Sequence, residues 1–391
     1  MVDLIVTVLT IVVVLAAAAI VFVALNRLVD LASIEWQDRI RPWVFILPAL
    51  VFLGFGLVWP TVRTVYLSFR GGPDGENGFT FDNFTNVFTD ARYFSFNNWE
   101  NIFTSRLFFL AALLFFAAIA YVAVAKAKDR QAGIEYNAPV PSIAVVAAAV
   151  LLMLAVFSTL QGTIWNNLWW VVTVAGLSTL LGLMLAILAD RANGEKVAKS
   201  LIFMPAAISF VGAAVIWRYV YYRNTSREDI GLLNNVLTGT GLMDEPIDFY
   251  TSASIIPWNN FFIMIIMIWI QVGFALVVMS AAVKSVPSET LEAARIDGAS
   301  ELQSVWRVVI PQVWPTVVVV LTTLTVVVMK VFDLVKATTN GRSRTDVLAN
   351  TMYENLRDSN FTGSATFAVI IVVLVLPIVF INVRRHREAV G

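Results

Sequence analysis

The sequence contains no cysteine and a single histidine, His386, which lies in a basic tail. Disulfides, thiolate metal sites and cysteine nucleophiles are therefore excluded. The chain also lacks a Gly-x-x-x-x-Gly-Lys-Ser/Thr phosphate loop and a nucleophile-elbow motif. Charged residues make up only 14% of the chain and cancel to a net charge of zero. Nothing here points to a nucleic-acid partner, a bound metal or cofactor, or an enzymatic centre.

Apolar residues dominate what is present. They account for 59% of the chain, and the mean hydropathy is +0.78. Several apolar runs exceed the roughly 20 residues that a helix needs to cross a bilayer. We predict an all-α integral membrane protein, a polytopic bundle of about nine transmembrane helices, at 4–26, 43–69, 107–125, 141–160, 165–189, 200–221, 258–283, 315–336 and 364–383.

The distribution of Lys and Arg predicts the orientation of this bundle. They are denser in one alternating set of connections, namely 27–42, 126–140, 190–199, 284–314 and 384–391. Because cytoplasmic segments carry the excess of Lys and Arg, we expect the C-terminus in the cytoplasm and the N-terminus outside. The first apolar segment has no basic flank and is too long for a signal peptide, so it is predicted to remain as an anchor.

Residues 285–314 form a polar segment between two long apolar runs. Ser288 is predicted to be the N-cap of a short helix, with Glu292 in its first turns, where the helix dipole favours acids. Asp297 and Gly298 predict the end of that helix, because glycine tolerates the left-handed backbone of a C-terminal cap.

A second short helix is predicted from Ser300 to about Val309, ended by Pro311. Its apolar residues follow a helical spacing that predicts one buried face, formed by Leu302, Val305, Trp306 and Val309. Such a pair of amphipathic helices is either a docking surface for a partner or an interfacial loop that packs against its own bundle.

The order of residues in this segment resembles the EAA loop of ABC importer permeases. The matching residues are Glu292, Ala293, Ala294, Gly298 six positions after Glu292, and then Val308, Ile310 and Pro311. The resemblance implies a coupling helix that docks into a separate ATPase subunit. Within such a loop the residue types predict the roles: Glu292 can pair with a basic group of the partner, Ala293 and Ala294 keep the surface flat for close approach, and Gly298 permits the sharp turn. Asp297 is then available to cap the second helix, and Pro311 begins the return to the membrane.

The resemblance extends over about 43–88 and 160–383. Its further motifs are Pro48–Leu53, Tyr66–Phe69, Asn83–Phe88, Leu181–Ala186, Phe203–Pro205, Gly231–Asn234 and Phe332–Gly341. They are similar to the larger, F-like subunit of maltose-type carbohydrate importers. This implies a six-helix permease core, a carbohydrate substrate (an oligosaccharide or glucoside), a second permease subunit, two ATPase subunits that bind the ATP, and an extracytoplasmic solute-binding protein.

The same comparison predicts the domain organisation. Residues 1–42 form an extra helix with a cytoplasmic linker, and 43–106 form the first core helix with an extracytoplasmic segment. Residues 107–160 are a helix pair inserted between core helices, 161–383 are the permease core, and 384–391 are a basic tail. The aromatic segments 70–106 and 222–257 either lie on lipid headgroups or form a cap that contacts the binding protein.

Candidate substrate-pathway residues lie within the predicted helices 258–283 and 315–336. Trp269, Gln271 and Phe274 combine aromatic rings with an amide, as recognition of a sugar's apolar face and hydroxyl rim requires; packing between helices is the alternative. One helix later the positions aligned with sugar contacts are Leu324 and Val328. Because both are apolar, the polar contacts pass to Thr322, Thr323 or Thr325.

Lys330 and Asp333 are predicted three residues apart near the outer end of helix 315–336, where they either neutralise each other or serve the pathway. A different class of protein, a secondary transporter or channel working without ATP, remains an alternative for the chain. Such proteins usually show inverted repeats and helices broken at the midplane. We find no convincing repeat in the sequence.

Overall fold

The computed structural model describes residues 13, 16, 20–24, 26, 27, 29, 30, 34–96, 99–132, 139–190, 194–224, 229–251 and 258–390. The chain divides into two compact units, Met1–Ser68 and Phe69–Gly391. Most of the predicted helix 4–26 lies outside the described residues.

In the first unit, one long helical stretch runs from Ile34 to Ser68. It consists of α1 (Ile34–Leu53), a π-helical turn (Gly54–Val58) and α2 (Trp59–Ser68). Phe52 and Phe55 are 69% and 76% exposed. An apolar helix that leaves such side chains uncovered is suited to contact with lipid tails.

The second unit is almost entirely helical. Its N-terminal half contains α3 (Asp82–Thr89), α4 (Asn101–Thr104), α5 (Arg106–Ala132), α6 (Pro139–Thr159), α7 (Thr163–Trp170), a π turn (Val171–Ala175) and α8 (Gly176–Ala189). Then follow α9 (Glu195–Phe203), a 3-10 turn (Met204–Ala207), α10 (Phe210–Val220), β1 (Arg223–Asn224), β2 (Asp229–Ile230) and α11 (Leu232–Gly239). The two strands form a small antiparallel pair.

The C-terminal half of the second unit begins with its most buried helix, α12 (Trp258–Lys284). After it come α13 (Ser288–Ile296), α14 (Glu301–Ser304), a π turn (Val305–Val309), α15 (Ile310–Met329), α16 (Asp333–Thr338), α17 (Leu348–Arg357) and α18 (Phe361–Val390).

Two glycines show how closely the helices pack around α12. A Cβ added to Gly182 of α8 would lie 2.4 Å from the Cβ of Ala275, and one added to Gly273 would lie 2.9 Å from the Cα of Phe203 in α9. Both distances are shorter than a real contact between carbon atoms, so only glycine fits at these crossings.

The expected fold class, an all-α membrane bundle, is confirmed. By length and composition, six helical stretches in the described residues are suited to cross a membrane: Pro42–Ser68, Arg106–Ala125, Thr163–Ala189, Trp258–Lys284, Glu301–Met329 and Phe361–Phe380. A seventh would be the pair Glu195–Ala207 and Phe210–Val220, which is bent by 100°. Ile143–Thr159 is shorter. The predicted number of nine is not confirmed.

The predicted bounds of helix 315–336 are wrong at both ends, since the span runs from Glu301 to Met329. At its C-terminus, the buried Asn167 side chain donates a hydrogen bond to the carbonyl oxygen of Met329 at 3.2 Å. This amide replaces the backbone N–H that a further helical turn would supply, so the helix ends there.

Candidate functional site

The first half of the polar segment 285–314 is the exposed helix α13. Its N-cap is Pro287, with extended backbone, and Ser288 is already helical. The prediction that Ser288 caps this helix is therefore wrong, and no side chain caps it. Proline is well suited to the position before the helix, because its fixed φ of about −65° matches an extended residue.

The C-terminus of α13 is a Schellman motif. The N–H of Ala299 donates to the carbonyl of Ala294 at 2.9 Å, and the N–H of Gly298 donates to that of Arg295 at 3.0 Å. Gly298 adopts a φ of +81°. The turn expected at Gly298 is thus present, and it needs a residue that accepts left-handed backbone.

Ser300, not Asp297, caps the helix that follows. Its side chain accepts a hydrogen bond from the N–H of Gln303 at 3.3 Å, while the Gln303 side chain accepts one from the N–H of Ser300 at 2.8 Å. This capping box satisfies two of the backbone donors at the helix start. Asp297 is instead the C-cap residue of α13.

The prediction that Pro311 ends a short second helix is also wrong. Residues 301–329 stay helical, with the π turn Val305–Val309 directly before α15 and Pro311 in the first turn of α15. The wider π turn gives the Pro311 ring room beside the preceding carbonyls, with which it would clash in a regular helix. The polar segment therefore continues into a membrane span as one stretch of helix.

The apolar residues of the 285–314 segment are largely uncovered, contrary to the predicted buried face. Leu302 is 68% exposed and Trp306 is 63% exposed, whereas Val309 is buried. Leu302 and Trp306 line an apolar groove of about 550 Å³ between α8 and the start of the span, together with Val305, Leu180, Met184, Leu188 and Ile310. On α13, Glu292 and Ala293 are exposed, Ala294 is half-buried and Ile296 is 86% exposed.

The pathway candidates on α12 separate into two faces. Gln271 and Phe274 are three residues apart and so lie on one face. Trp269 belongs to the other side, where its ring packs edge-on against Trp217 at 5.7 Å. Gln271 is only 8% exposed, and its side chain makes no hydrogen bond within the described part of the protein. The Gln271 amide is not among the fully enclosed polar atoms that lack a partner, whereas Oδ1 of Asn259 on the same helix is. The Gln271 amide therefore stays open to a ligand.

On α15, the hydroxyls of Thr322 and Thr325 donate to the carbonyls of Val318 and Leu321, one turn earlier, at 2.7 and 2.8 Å. They retain only the ability to accept a further hydrogen bond. Leu324 and Val328 are buried in the core at 1% and 0% exposure.

Lys330 and Asp333 do not share a helix. Lys330 is the C-cap residue of α15 and Asp333 opens α16, because the chain leaves helical geometry at Phe332, whose φ is −141°. Both side chains are exposed. Within the described residues no ion pair joins them, so the predicted neutralised pair is not formed.

Sequence reasoning missed a charged cluster at the end of α12 from which the 285–314 segment begins. Lys199 of α9 donates to Asp190, to Glu195 at 2.6 Å and to Ser280, and Lys284 donates to Glu195. The Ser280 hydroxyl donates to Asp190 at 2.9 Å. The spacing of Glu195 and Lys199, four residues apart, was the available signal.

A polar cavity of about 220 Å³ lies near the opposite ends of the helices, lined by Arg92, Gln161, Asn166, Trp169, Arg344 and Asp346. Burial raises the pKa of the Asp346 carboxyl, although Asn350, Thr351 and the N–H of Val347 donate to it. Beside the cavity, the hydrogen bond from the Arg92 guanidinium lowers the pKa of Asp90. The described residues include no group of three or more acidic, His or Cys side chains that could hold a metal.

Comparison with known proteins assigns a family to this arrangement. Residues 139–388 match the model of the inner-membrane components of binding-protein-dependent transport systems. The chain belongs to that family. It is therefore a membrane component of a transport system that depends on a binding protein, and a transport subunit with a separate ATPase rather than an enzyme.

Two relatives match nearly the whole chain. The alpha-glucoside transport system permease protein AglF of Rhizobium meliloti is 36% identical over 92% of this chain and 86% of its own length. The osmoprotective compounds uptake permease protein GgtC of Synechocystis is also 36% identical, over 88% of this chain and 98% of its own.

Among solved structures, a bacterial ABC transporter involved in import of the acidic polysaccharide alginate has a similar fold. The TM-score is 0.60 at 18% identity, over 91% of this chain and 99% of that one. The same fold is therefore present in this chain. Together with the family assignment, it removes the alternative of a secondary transporter or channel.

Proposed function

We propose that this chain is the larger, F-like permease subunit of an ATP-driven importer for a glucoside or small oligosaccharide. The observation that carries the substrate class is the 36% identity to an alpha-glucoside permease over 92% of the chain. We further propose a second permease subunit, two ATPase subunits and an extracytoplasmic binding protein as its partners.

The 285–314 segment is suited to receive the ATPase. The exposed side chains of Glu292 and Ile296 on α13 offer one charge and one large apolar group to a partner, and Ala293 leaves room for close approach. Ile296, at 86% exposure, has no cover from its own chain. A single exposed apolar residue at the end of a rigid helix is the kind of group that fills a partner's pocket.

The continuous helix from Glu301 to Met329 supports a mechanical role for this segment. Because helical turns resist stretching, a displacement at the capping box of Ser300 reaches the membrane span without an intervening loop. We propose that ATP-driven movement of the partner is passed to the pathway in this way, opening it alternately to the two sides of the membrane.

Gln271 and Phe274 are the pathway residues that the structure supports best. The Gln271 side chain is 8% exposed, and its amide atoms are not among the fully enclosed ones without a partner, so the amide can take a hydrogen-bond partner from a ligand. A sugar hydroxyl supplies that partner, and the neighbouring Phe274 ring suits the sugar's apolar face. Thr322 and Thr325 contribute acceptors from α15. Trp269, turned to Trp217, serves helix packing.

The function is tested by reconstitution. The chain is co-expressed with candidate permease and ATPase subunits, purified and inserted into proteoliposomes containing ATP, with binding protein and labelled maltose, trehalose or sucrose outside. We expect uptake of at least one glucoside that requires both ATP and the binding protein. Uptake that proceeds without ATP, or a system that binds and carries only solutes other than carbohydrates, contradicts the proposal.

A further inference from the structure

The end of α12 that leads into the 285–314 segment is tied to two other helices by one cluster of side chains. We call this the Lys199 cluster; it consists of Asp190, Glu195, Lys199, Ser280 and Lys284. Asp190 directly follows α8, Glu195 and Lys199 belong to α9, and Ser280 and Lys284 lie on the last turns of α12. Lys284 is the last residue before the 285–314 segment begins.

Lys199 is the centre of this cluster. Its ammonium donates to Asp190, Glu195 and Ser280, which uses all three of its protons. The side chains of Lys199 and Asp190 are only 17% and 12% exposed. Two acids and two lysines balance in charge. Solvent screens such a partly buried network less than a surface ion pair, so its contacts are stronger than those of an exposed pair.

The two ends of helix α9 are held differently, since Ile202 near its C-terminal end packs against the hydrophobic core and the Lys199 cluster holds its N-terminal end. None of its residues is buried, and Val197 and Leu201 are 65% and 58% exposed. Apart from the Lys199 cluster, its close contact with α12 is at the other end, where Phe203 lies against Gly273. The ionic contacts therefore fix the N-terminal end of α9 to α8 and α12.

Helix α9 is also the first half of the span that bends by 100° before α10. Hinges in proteins lie at a few loop or element-terminal residues, and Ile208 and Ser209, between the 3-10 turn and α10, are residues of that kind. Whatever holds α9 to the end of α12 determines whether the bent span follows a movement of the 285–314 segment.

We propose that Lys199 is a positioning residue for energy coupling. By binding the ends of α8 and α12 to α9, it makes the bent span Glu195–Val220 move together with the 285–314 segment when the ATPase acts. The inference rests on the proposed function, since it concerns how that importer uses ATP.

The main test substitutes Lys199→Met in the reconstituted importer and measures both uptake and ATP hydrolysis. We expect uptake to fall about tenfold, in the range typical of coupling between sites, while hydrolysis persists, so more ATP is consumed per sugar. Lys199→Arg, which keeps the charge, is expected to restore most of the uptake. The matched control is Lys196→Gln, which removes an exposed lysine from the same helix.

A second variant guards against misfolding. Glu195→Gln removes the charge of the more exposed of the two acids in the cluster and keeps the bond from Lys199 to Asp190. We expect it to raise the ATP consumed per sugar by less than Lys199→Met does. A purely structural role predicts instead that both variants lower the yield of assembled complex in proportion to lost uptake, with unchanged ATP per sugar in what remains.

The movement itself is measured with spin labels, because the chain offers no native cysteine. Labels at Val197→Cys on α9 and Ser288→Cys on α13 report their separation by double electron–electron resonance. We expect one narrow distance distribution in the parent chain and a broader one with Lys199→Met. An unchanged distribution together with unchanged ATP per sugar overturns the inference, whereas absence of ATP-driven sugar uptake in the parent importer would instead overturn the proposed function.

Discussion

A single residue determines the turn in the middle of the 285–314 segment. At Gly298 the backbone has a φ of +81°, and nothing lies within 4 Å of where a Cβ would be. The position therefore has space for a side chain but not the right backbone for one. A β-branched residue there costs about 1–2 kcal/mol, because the left-handed conformation brings its Cβ close to the next carbonyl oxygen.

We expect Gly298→Val to leave the protein in the membrane but to uncouple ATP hydrolysis from uptake, because the Schellman turn that orients α13 is strained. The measurement is sugar uptake beside ATPase activity stimulated by the binding protein. Gly239→Val is the control: this glycine also ends a short helix and has free space, but its backbone is not left-handed. Normal uptake and normal stimulation in Gly298→Val would contradict the role given to the turn.

Gln271 and Asn167 are both buried amides, but only Asn167 forms hydrogen bonds within the described protein. We expect Gln271→Leu to reduce sugar uptake about tenfold, roughly the loss of one hydrogen bond of about 1.4 kcal/mol, with no loss of thermal stability. Asn167→Leu removes bonds to the carbonyl of Met329 and the N–H of Leu348, so it is expected to lower stability. Full uptake by Gln271→Leu would remove this residue from the pathway.

The start of helix α14 is fixed by the capping box of Ser300 and Gln303. The capping box of Ser300 predicts that Ser300→Ala weakens the start of α14 by about 0.5–2 kcal/mol. Hydrogen exchange of the Gln303 amide is expected to speed up correspondingly. Ser288→Ala is the matched control, because Ser288 caps nothing and its loss is expected to leave the exchange of α13 unchanged. Equal effects of the two changes would speak against the capping box.

The elements around α17 give opposite dependences of stability on pH. Burial raises the pKa of Asp346, so the folded state favours the protonated carboxyl. The stability that the protonated carboxyl contributes is lost as pH rises above the ordinary pKa of about 4. The bond from Lys336 lowers the pKa of Glu354, whose contribution is present at neutral pH and lost in acid. In detergent, we expect Asp346→Asn to gain thermal stability over the parent as pH rises from about 4 to about 7. Glu354→Gln is expected to be less stable than the parent at neutral pH, and this difference is expected to shrink as pH falls below about 4.5. The same trend in both variants would contradict these assignments.

The sequence predicts elements better than it predicts their ends. Apolar length was enough to place the α12 span to within a residue, since a bilayer requires it. The prediction that Pro311 ends a helix was wrong, because a proline is also tolerated beside a π turn. The prediction that Ser288 caps a helix was wrong, because a serine after a proline becomes the first helical residue instead of the cap. The end at Met329 depends on Asn167, which is distant in sequence, and the Lys199 cluster unites three helices. Such contacts between distant residues have no signal in local patterns.

For the whole molecule, the charge distribution predicts that the 285–314 segment is cytoplasmic and that the 222–257 connection is outside. We expect a membrane-impermeant maleimide to label the exposed Glu245→Cys on intact cells and to label Ser288→Cys only after the membrane is opened. The parent chain has no cysteine and provides a blank. Labelling of Ser288→Cys on intact cells would reverse the orientation.

The glycine contacts around α12 have a consequence for how freely this gene can vary. In a saturation library selected for growth on the imported sugar, many lipid-facing positions should accept most apolar residues, since lipid adapts to their shape. Gly182 and Gly273 should accept almost none, because even one methyl group would meet Ala275 or Phe203 at 2.4 or 2.9 Å. The strictest positions in such a library would then include two that carry no chemistry at all.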